Sequence, residues 1–211
     1  MRFDTLLPRL QTRLAEDERP GTPAQARMAP LAERRDPTLI DPSGKPCRAA
    51  AVLLLLYPDD ACRATFALTQ RPDTMRDHRG QISLPGGAIE DGETALEAAL
   101  RETEEEVGVH VAADAVLGAL SGLYIPPTRF CVTPFVAAAE GRPTFDVNRI
   151  EVARLIEATV GDLVDPTRIR TQQRTIRGRD VMVPYFDLGG HVVWGATAMM
   201  LAEFVQLVAR D

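Results

Sequence analysis

The chain has 211 residues, enough for one domain with an added arm and for a sizeable core without disulfide or metal staples. Its 45% hydrophobic and 26% charged residues are ordinary for a soluble globular protein, and 24 Lys+Arg against 30 Asp+Glu give a net charge of −6, which argues against a general binder of nucleic acid or anionic membrane. The longest apolar run, Ala49 to Tyr57, falls far short of the ~20 residues of a membrane-spanning helix, and Met1-Arg2-Phe3-Asp4 lacks the apolar core of a secretory signal.

Residues 1–18 read as one helix, with Phe3, Leu6, Leu7, Leu10 and Leu14 at helical spacing. Pro20, Pro23, Pro30, Pro37, Pro42 and Pro46 then punctuate an extended connector. The chain thus divides into an arm, 1–47, and a main domain, 48–211. The arm packs on the core or serves a partner in a homodimer; the sequence leaves both open. Ala50 to Tyr57 is apolar throughout, as a strand buried on both faces would be, and Thr65 to Thr69 is its return strand beyond Pro58-Asp59-Asp60. A polar loop covers Gln70 to Gln81, followed by a short strand, Ile82 to Leu84, broken by Pro85-Gly86-Gly87. Thr94 to Val107 is a helix that Gly108 ends. Strands are expected near 116–123, 131–138 and 150–156, a helical turn at 162–164, a hairpin over 168–177 and 181–188, and an amphipathic helix from Thr197 to Arg210 built on Met200, Leu201, Phe204, Val205 and Val208. Mixed strands and helices without regular alternation predict an α+β fold. Cys47, Cys62 and Cys131 form no zinc or C-x-x-C pattern and read as reduced thiols in a cytoplasmic protein.

The chemistry concentrates in the helix after Gly86-Gly87. At 100° per residue, Leu96, Leu100, Thr103 and Val107 share a face toward the core, while Glu102, Glu105 and Glu106 lie on another and can converge. Such carboxylates repel, and they sit at the negative end of the helix dipole. Either water and salt screen them on a solvated face, or a hard divalent cation, Mg²⁺ or Mn²⁺, neutralises them.

The stretch Gly87 to Val109 fits Gly-x5-Glu-x7-Arg-Glu-U-x-Glu-Glu-x-Gly-U, where U is bulky and apolar; Thr103 at the first U is the one departure. This resembles the box of the Nudix hydrolase superfamily. The resemblance implies an α/β/α sandwich around a mixed sheet and hydrolysis of a nucleoside diphosphate linked to another group. It implies Glu102, Glu105 and Glu106 as metal-site carboxylates, joined by the Gly87 carbonyl, with Glu93 and Arg101 bracing the box and Gly108 ending its helix. Glu105 ranks first as general base. Glu151, in Asn148-Arg149-Ile150-Glu151-Val152, is a later carboxylate that serves as an extra base or ligand or as a loop salt-bridge partner.

Upstream, Leu68 to Gly87 is similar to the motif of the coenzyme A pyrophosphatase branch, Leu-Leu-Thr-x-Arg-(Ser/Ala)-x3-Arg-x3-Gly-x3-Phe-Pro-Gly-(Gly/Ala). Leu68, Thr69, Arg71, Arg76, Gly80, Pro85, Gly86 and Gly87 fit; Ala67, Pro72 and Leu84 depart. Arg71, Arg76, Gly80 and Gln81 become candidate substrate-binding residues, the arginines as forked phosphate donors or else surface salt-bridge partners. Arg79 is a weaker candidate, His78 a loop hydrogen-bonder, and Trp194 a residue of the core or of the start of the last helix rather than an adenine platform. The expectation is metal-dependent hydrolysis of coenzyme A and its derivatives to 3′,5′-ADP and 4′-phosphopantetheine. The competing readings are a Nudix enzyme for ADP-ribose, a dinucleotide or another nucleoside diphosphate derivative, and a non-catalytic nucleotide sensor, which would normally have lost box carboxylates.

Overall fold

A computed structural model describes residues 1–16, 19–72, 80–176 and 178–209. Arg76, His78 and Arg79 lie outside the described residues. In chain order the elements are α1 (Phe3–Ala15), α2 (Gly21–Ala26), α3 (Leu31–Arg35), β1 (Arg48–Pro58), β2 (Ala64–Gln70), β3 (Ile82–Ser83), β4 (Gly86–Ala88), α4 (Ala95–Val107), β5 (Val116–Ala119), β6 (Leu123–Ile125), β7 (Phe130–Ala138), β8 (Arg154–Thr159), α5 (Val160–Val164), β9 (Ile169–Ile176), β10 (Arg179–Leu188), β11 (His191–Trp194) and α6 (Gly195–Ala209).

The main sheet is mixed. β1 runs parallel to β7 and antiparallel to β2 and β4; β5 and β6 flank β7, while β3 and β8 pair with β2. β1 organises the layers because its side chains alternate. Ala50, Leu54 and Leu56 face a core built with α1 and α6, whereas Ala51, Leu53, Leu55 and Tyr57 face Ala98, Ala99 and Val107 of α4. Helices therefore cover both sides of the sheet, and the fold is the α/β/α sandwich expected. β9, β10 and β11 form a second, antiparallel sheet.

Several local expectations change. The connector is not extended: α2, α3 and a 3₁₀ turn at Pro37–Ile40 occupy it, since proline is tolerated in the first turn of a helix, where its missing N–H costs nothing. The strand near 116–123 is two, β5 and β6, which follow one another along β7 with the pairing interrupted at 120–122. The short strand does end before Pro85, and Gly86 and Gly87 then start a new one, β4, opposite Val52 and Ala51. The strand placed at 150–156 starts at Arg154, and β11 was not anticipated. α6 is buried on nearly every side rather than amphipathic. Even Glu203 is fully buried, and it accepts hydrogen bonds from the Gly21 and Ser121 amides and from Gln25 Nε2, tying α2 and the β5–β6 link to α6.

The thiol reading also changes. Cys47 and Cys131 form a disulfide, with Cα atoms 5.7 Å apart; Cys62 is free and exposed. The parallel register sets Arg48 beside Phe130, which brings the neighbouring Cys47 and Cys131 together across the sheet. A thiol titration of the unreduced, denatured protein should count one reactive cysteine, Cys62, rising to three after reduction. Three thiols before reduction would refute the pairing. Among the described residues, no helix is long and apolar enough to cross a membrane.

Candidate active site

α4 is a well-specified helix. Thr94 and Glu97 form a reciprocal capping box at its start, and Gly108, at φ 69°, closes it in the left-handed conformation. Thr103, at the position expected to be bulky and apolar, is buried and donates from Oγ1 to the Ala99 carbonyl at 2.6 Å, so its hydroxyl is satisfied within the helix. The buried stripe differs from expectation. It runs through Ala98, Ala99, Thr103, Glu106 and Val107, while Leu96 and Leu100 are half-buried. Glu106 thus lies on the inner face of α4, beside Thr103, rather than on the outer face with Glu102 and Glu105.

That placement governs its chemistry. The Glu106 residue is 6% exposed, and Thr69 Oγ1, on β2, donates to its Oε2 at 3.3 Å. Burial pushes its pKa up to about 7; nearby Arg71 opposes the rise, and the charges of Glu102 and Glu151 add to it. Glu102 is half-buried and also raised, first by burial and then by Glu105 and Glu151, against the pull of Arg101. Its carboxylate rests on Gly87: a Cβ there would stand 2.3 Å from Glu102 Oε1. Glu105 is the exposed member.

Arg101 gathers the charges. Its Nε donates to Glu93 Oε1 at 2.8 Å and its Nη2 to Glu93 Oε2 at 3.1 Å, a two-pronged bridge that pulls Glu93 below the usual carboxylate range. Nη1 reaches Glu102 Oε1 and Glu105 Oε2, each at 3.1 Å, and Nη2 the Ala88 carbonyl at 3.3 Å. The helix therefore does not present three converged glutamates. Glu102 and Glu105 lean on one guanidinium, Glu106 turns in to Thr69, and no metal-ready group of three acidic, His or Cys side chains exists among the described residues.

Glu151 reaches this cluster by main-chain bonds. The amides of Asp146 and Asn148 donate to the Val107 and Glu106 carbonyls, both at 3.0 Å, using acceptors that the last turn of a helix leaves unpaired. Gly108 permits the approach, since a Cβ would meet the Asp146 carbonyl at 2.6 Å. Asn148 Nδ2 then donates to Glu151 Oε1 at 3.1 Å. Asn148 and Thr69 were not singled out for these contacts. Thr69 carries a signal in β2, where Thr65, Ala67 and Thr69 alternate onto one side; the Asn148 contact carries none. Of the substrate candidates, Arg71 lies close enough to act on Glu106, its amide donates to the Gln81 carbonyl at 3.0 Å, and Gly80, at φ 61°, accepts from Gln70 Nε2.

An open groove of about 600 Å³ lies on the other flank of α4, lined by Glu90, Asp91, Glu97, Arg101, Glu104 and His110 among others. It includes none of Glu102, Glu105 and Glu106, and its carboxylates disfavour an anionic ligand. The cluster around Glu106 instead offers carboxylate and carbonyl oxygens, the donor set of Mg²⁺ or Mn²⁺, and carries like charges that a dication would relieve.

The NUDIX domain family matches residues 46–177, which span every residue of this cluster. The chain belongs to the Nudix family. It is 35% identical over 162 residues to an uncharacterized Nudix hydrolase, NudL, of Yersinia enterocolitica, covering 75% of this chain and 80% of that one. A second NudL, from Photorhabdus laumondii, is 32% identical over 162 residues, covering 76% and 85%. Among solved structures, the MutT protein of Methanosarcina mazei Go1 matches this Nudix chain with a TM-score of 0.52 at 15% identity, covering 77% of this chain and 95% of that one, a likeness of fold.

Proposed function

We propose that this Nudix hydrolase cuts the diphosphate of coenzyme A and its derivatives, giving 3′,5′-ADP and 4′-phosphopantetheine or its acylated form. One observation carries the reading. The segment resembling the coenzyme A branch, Leu68 to Gly87, begins on the strand that supplies Thr69 to Glu106, continues into Arg71, whose charge acts on Glu106, and ends at Gly87 against Glu102. Both ends of that motif thus meet the box carboxylates.

Glu102, Glu105 and Glu106, with the Gly87 carbonyl, would hold Mg²⁺ or Mn²⁺. Bound there, the cation neutralises diphosphate oxygens and lowers the pKa of water. The residues of the chain supply the rest. Glu105, the exposed one of the three, takes the proton as the oxygen of water bonds to phosphorus and the bridging P–O bond breaks. Glu106 is fixed by Thr69, and Arg101 with Glu93 braces the box. Arg71, with Arg76 as a second donor, binds phosphate oxygens, Gly80 and Gln81 shape the loop, and Glu151 is a further base or ligand. The substrate is a small molecule.

The test compares turnover of coenzyme A, an acyl derivative, ADP-ribose, a dinucleotide and a nucleoside triphosphate under Mg²⁺ or Mn²⁺ in ¹⁸O-water. The coenzyme A class should show the highest kcat/KM, with label in one product. Faster cleavage of ADP-ribose would assign the site to that alternative. Tight nucleotide binding without turnover would make the chain a sensor.

A further inference from the structure

Arg174, on β9, sits over the indole of Trp194, on β11, with its guanidinium carbon 4.1 Å from the ring centroid. Both residues are half-buried. With its amide oxygen turned inward, Gln172 accepts from Arg174 Nε at 2.7 Å and Nη2 at 2.8 Å; the reverse orientation would set donor against donor. The guanidinium is thus fixed in plane and in direction. Other arginines with similar restraint are neutralised: Arg101 by Glu93, Arg142 by Glu157, Arg168 by Asp162 and Arg170 by Asp187. Arg174 has no carboxylate partner among the described residues, and among the described arginines it is the one whose pKa is pushed down, by burial alone. A partly desolvated, pre-oriented cation without a counter-charge among the described residues, in a chain of net charge −6, is built to receive an anion.

Its position links it to the cluster on α4. Trp194 is followed directly by α6, and Thr197 Oγ1 of that helix donates to the Ile82 carbonyl at 3.0 Å. Ile82 and Ser83 form β3, which pairs with Gln70 and Thr69; the Ser83 and Thr69 hydroxyls are 3.3 Å apart, and Thr69 is the donor to Glu106. β11, which carries Trp194, packs beside β3, the strand that closes the Arg71–Gln81 loop.

We propose that Arg174, stacked on Trp194, is a specificity residue that binds the phosphomonoester of a substrate whose diphosphate is cut at α4. The inference rests on the function proposed above, since coenzyme A carries such a group on its ribose. The Nη hydrogens that Gln172 leaves free match two of the three terminal oxygens of a phosphomonoester, and the indole holds them in register.

Trp194 is the only tryptophan in the chain and so reports directly on its neighbour. Adenosine 3′,5′-bisphosphate should change the intrinsic fluorescence on titration, with Kd about 10- to 100-fold lower than for adenosine 5′-monophosphate, the worth of a charge-assisted pair of hydrogen bonds. Arg174→Ala should abolish that preference, and Arg174→Lys, a point charge without the fork, should restore part of it. In turnover, Arg174→Ala should lower kcat/KM for coenzyme A about 10- to 100-fold while changing that for 3′-dephospho-coenzyme A by less than about 3-fold. Circular dichroism checks that each variant is folded. Equal affinity of the wild type for the two nucleotides, or equal losses on the two substrates, overturns the proposal. If the wild type leaves coenzyme A uncut but binds the bisphosphate in preference at Trp194, the function assigned above fails while the anion site stands.

Discussion

Glu106→Gln should abolish turnover and, at the same time, stabilise the protein. The residue is 6% exposed, with a pKa of about 7 in the fold against an ordinary value of 4.5. Folding therefore raises the pKa of this acid, and the sign of the linkage follows. Below about pH 4.5 the group is protonated in both states and carries no penalty; the fold then loses stability as pH rises through about 7, where the folded state must bear the buried charge. The penalty above that pH is on the order of 3 kcal/mol. Glutamine keeps the shape and an acceptor for Thr69 but never ionises. In chelator-treated protein, Glu106→Gln should melt several degrees above wild type at pH 8, while the two should coincide near pH 4. Hydrolysis should fall by at least about 100-fold at every pH with saturating metal. A variant that keeps near-normal turnover would remove Glu106 from the site, and one that is less stable at pH 8 would contradict its buried charge.

Neighbouring glycines should separate fold from chemistry. A Cβ at Gly86 would meet the Ala51 carbonyl oxygen at 2.3 Å and the Val52 Cα at 2.5 Å, both main-chain atoms of β1, and the residue has φ 146°, a backbone that L side chains rarely adopt. Gly86→Ala has nowhere to yield, so we expect a loss of roughly 3–5 kcal/mol, or about 10 °C in melting temperature. At Gly87 the clash is with Glu102 Oε1, the far end of a flexible side chain. Gly87→Ala should therefore fold with a melting temperature within about 3 °C of wild type, yet push the Glu102 carboxylate aside and cut kcat about 10- to 100-fold. Thermal melts and initial rates on the two variants check both. An active Gly87→Ala enzyme would show that Glu102 does not need its seat on the glycine.

The bounds of α4 were legible because its end signals agree: the start at Thr94, the Gly108 stop and the fixed intervals between Gly87, Glu93, Arg101 and the glutamates. β1 was legible from its unbroken apolar run, since a strand buried on both faces needs no alternation. The connector misled because proline both ends and starts helices, and composition does not say which. The Cys47–Cys131 bond depends on the parallel pairing of β1 with β7, across a sequence separation of 84, which no local pattern encodes. In the cluster on α4, helical geometry grouped Glu102 with Glu105 correctly. It misplaced Glu106, because the side of α4 that faces β2 is set by packing and not by the polarity of the residue. The stacking of Arg174 on Trp194 was invisible for a similar reason, since it joins two outer strands of a sheet whose third member, β11, was itself unexpected.

The segment around residues 146–151 hangs from the last turn of α4 by amide-to-carbonyl bonds, with side chains playing a minor part. Its attachment is thus indifferent to which amino acids it carries. The position occupied by Glu151 can be rewritten, to aspartate, histidine or a neutral group, without loosening the mount that holds it, so the charge set beside the α4 carboxylates is exchangeable while the box itself stays fixed.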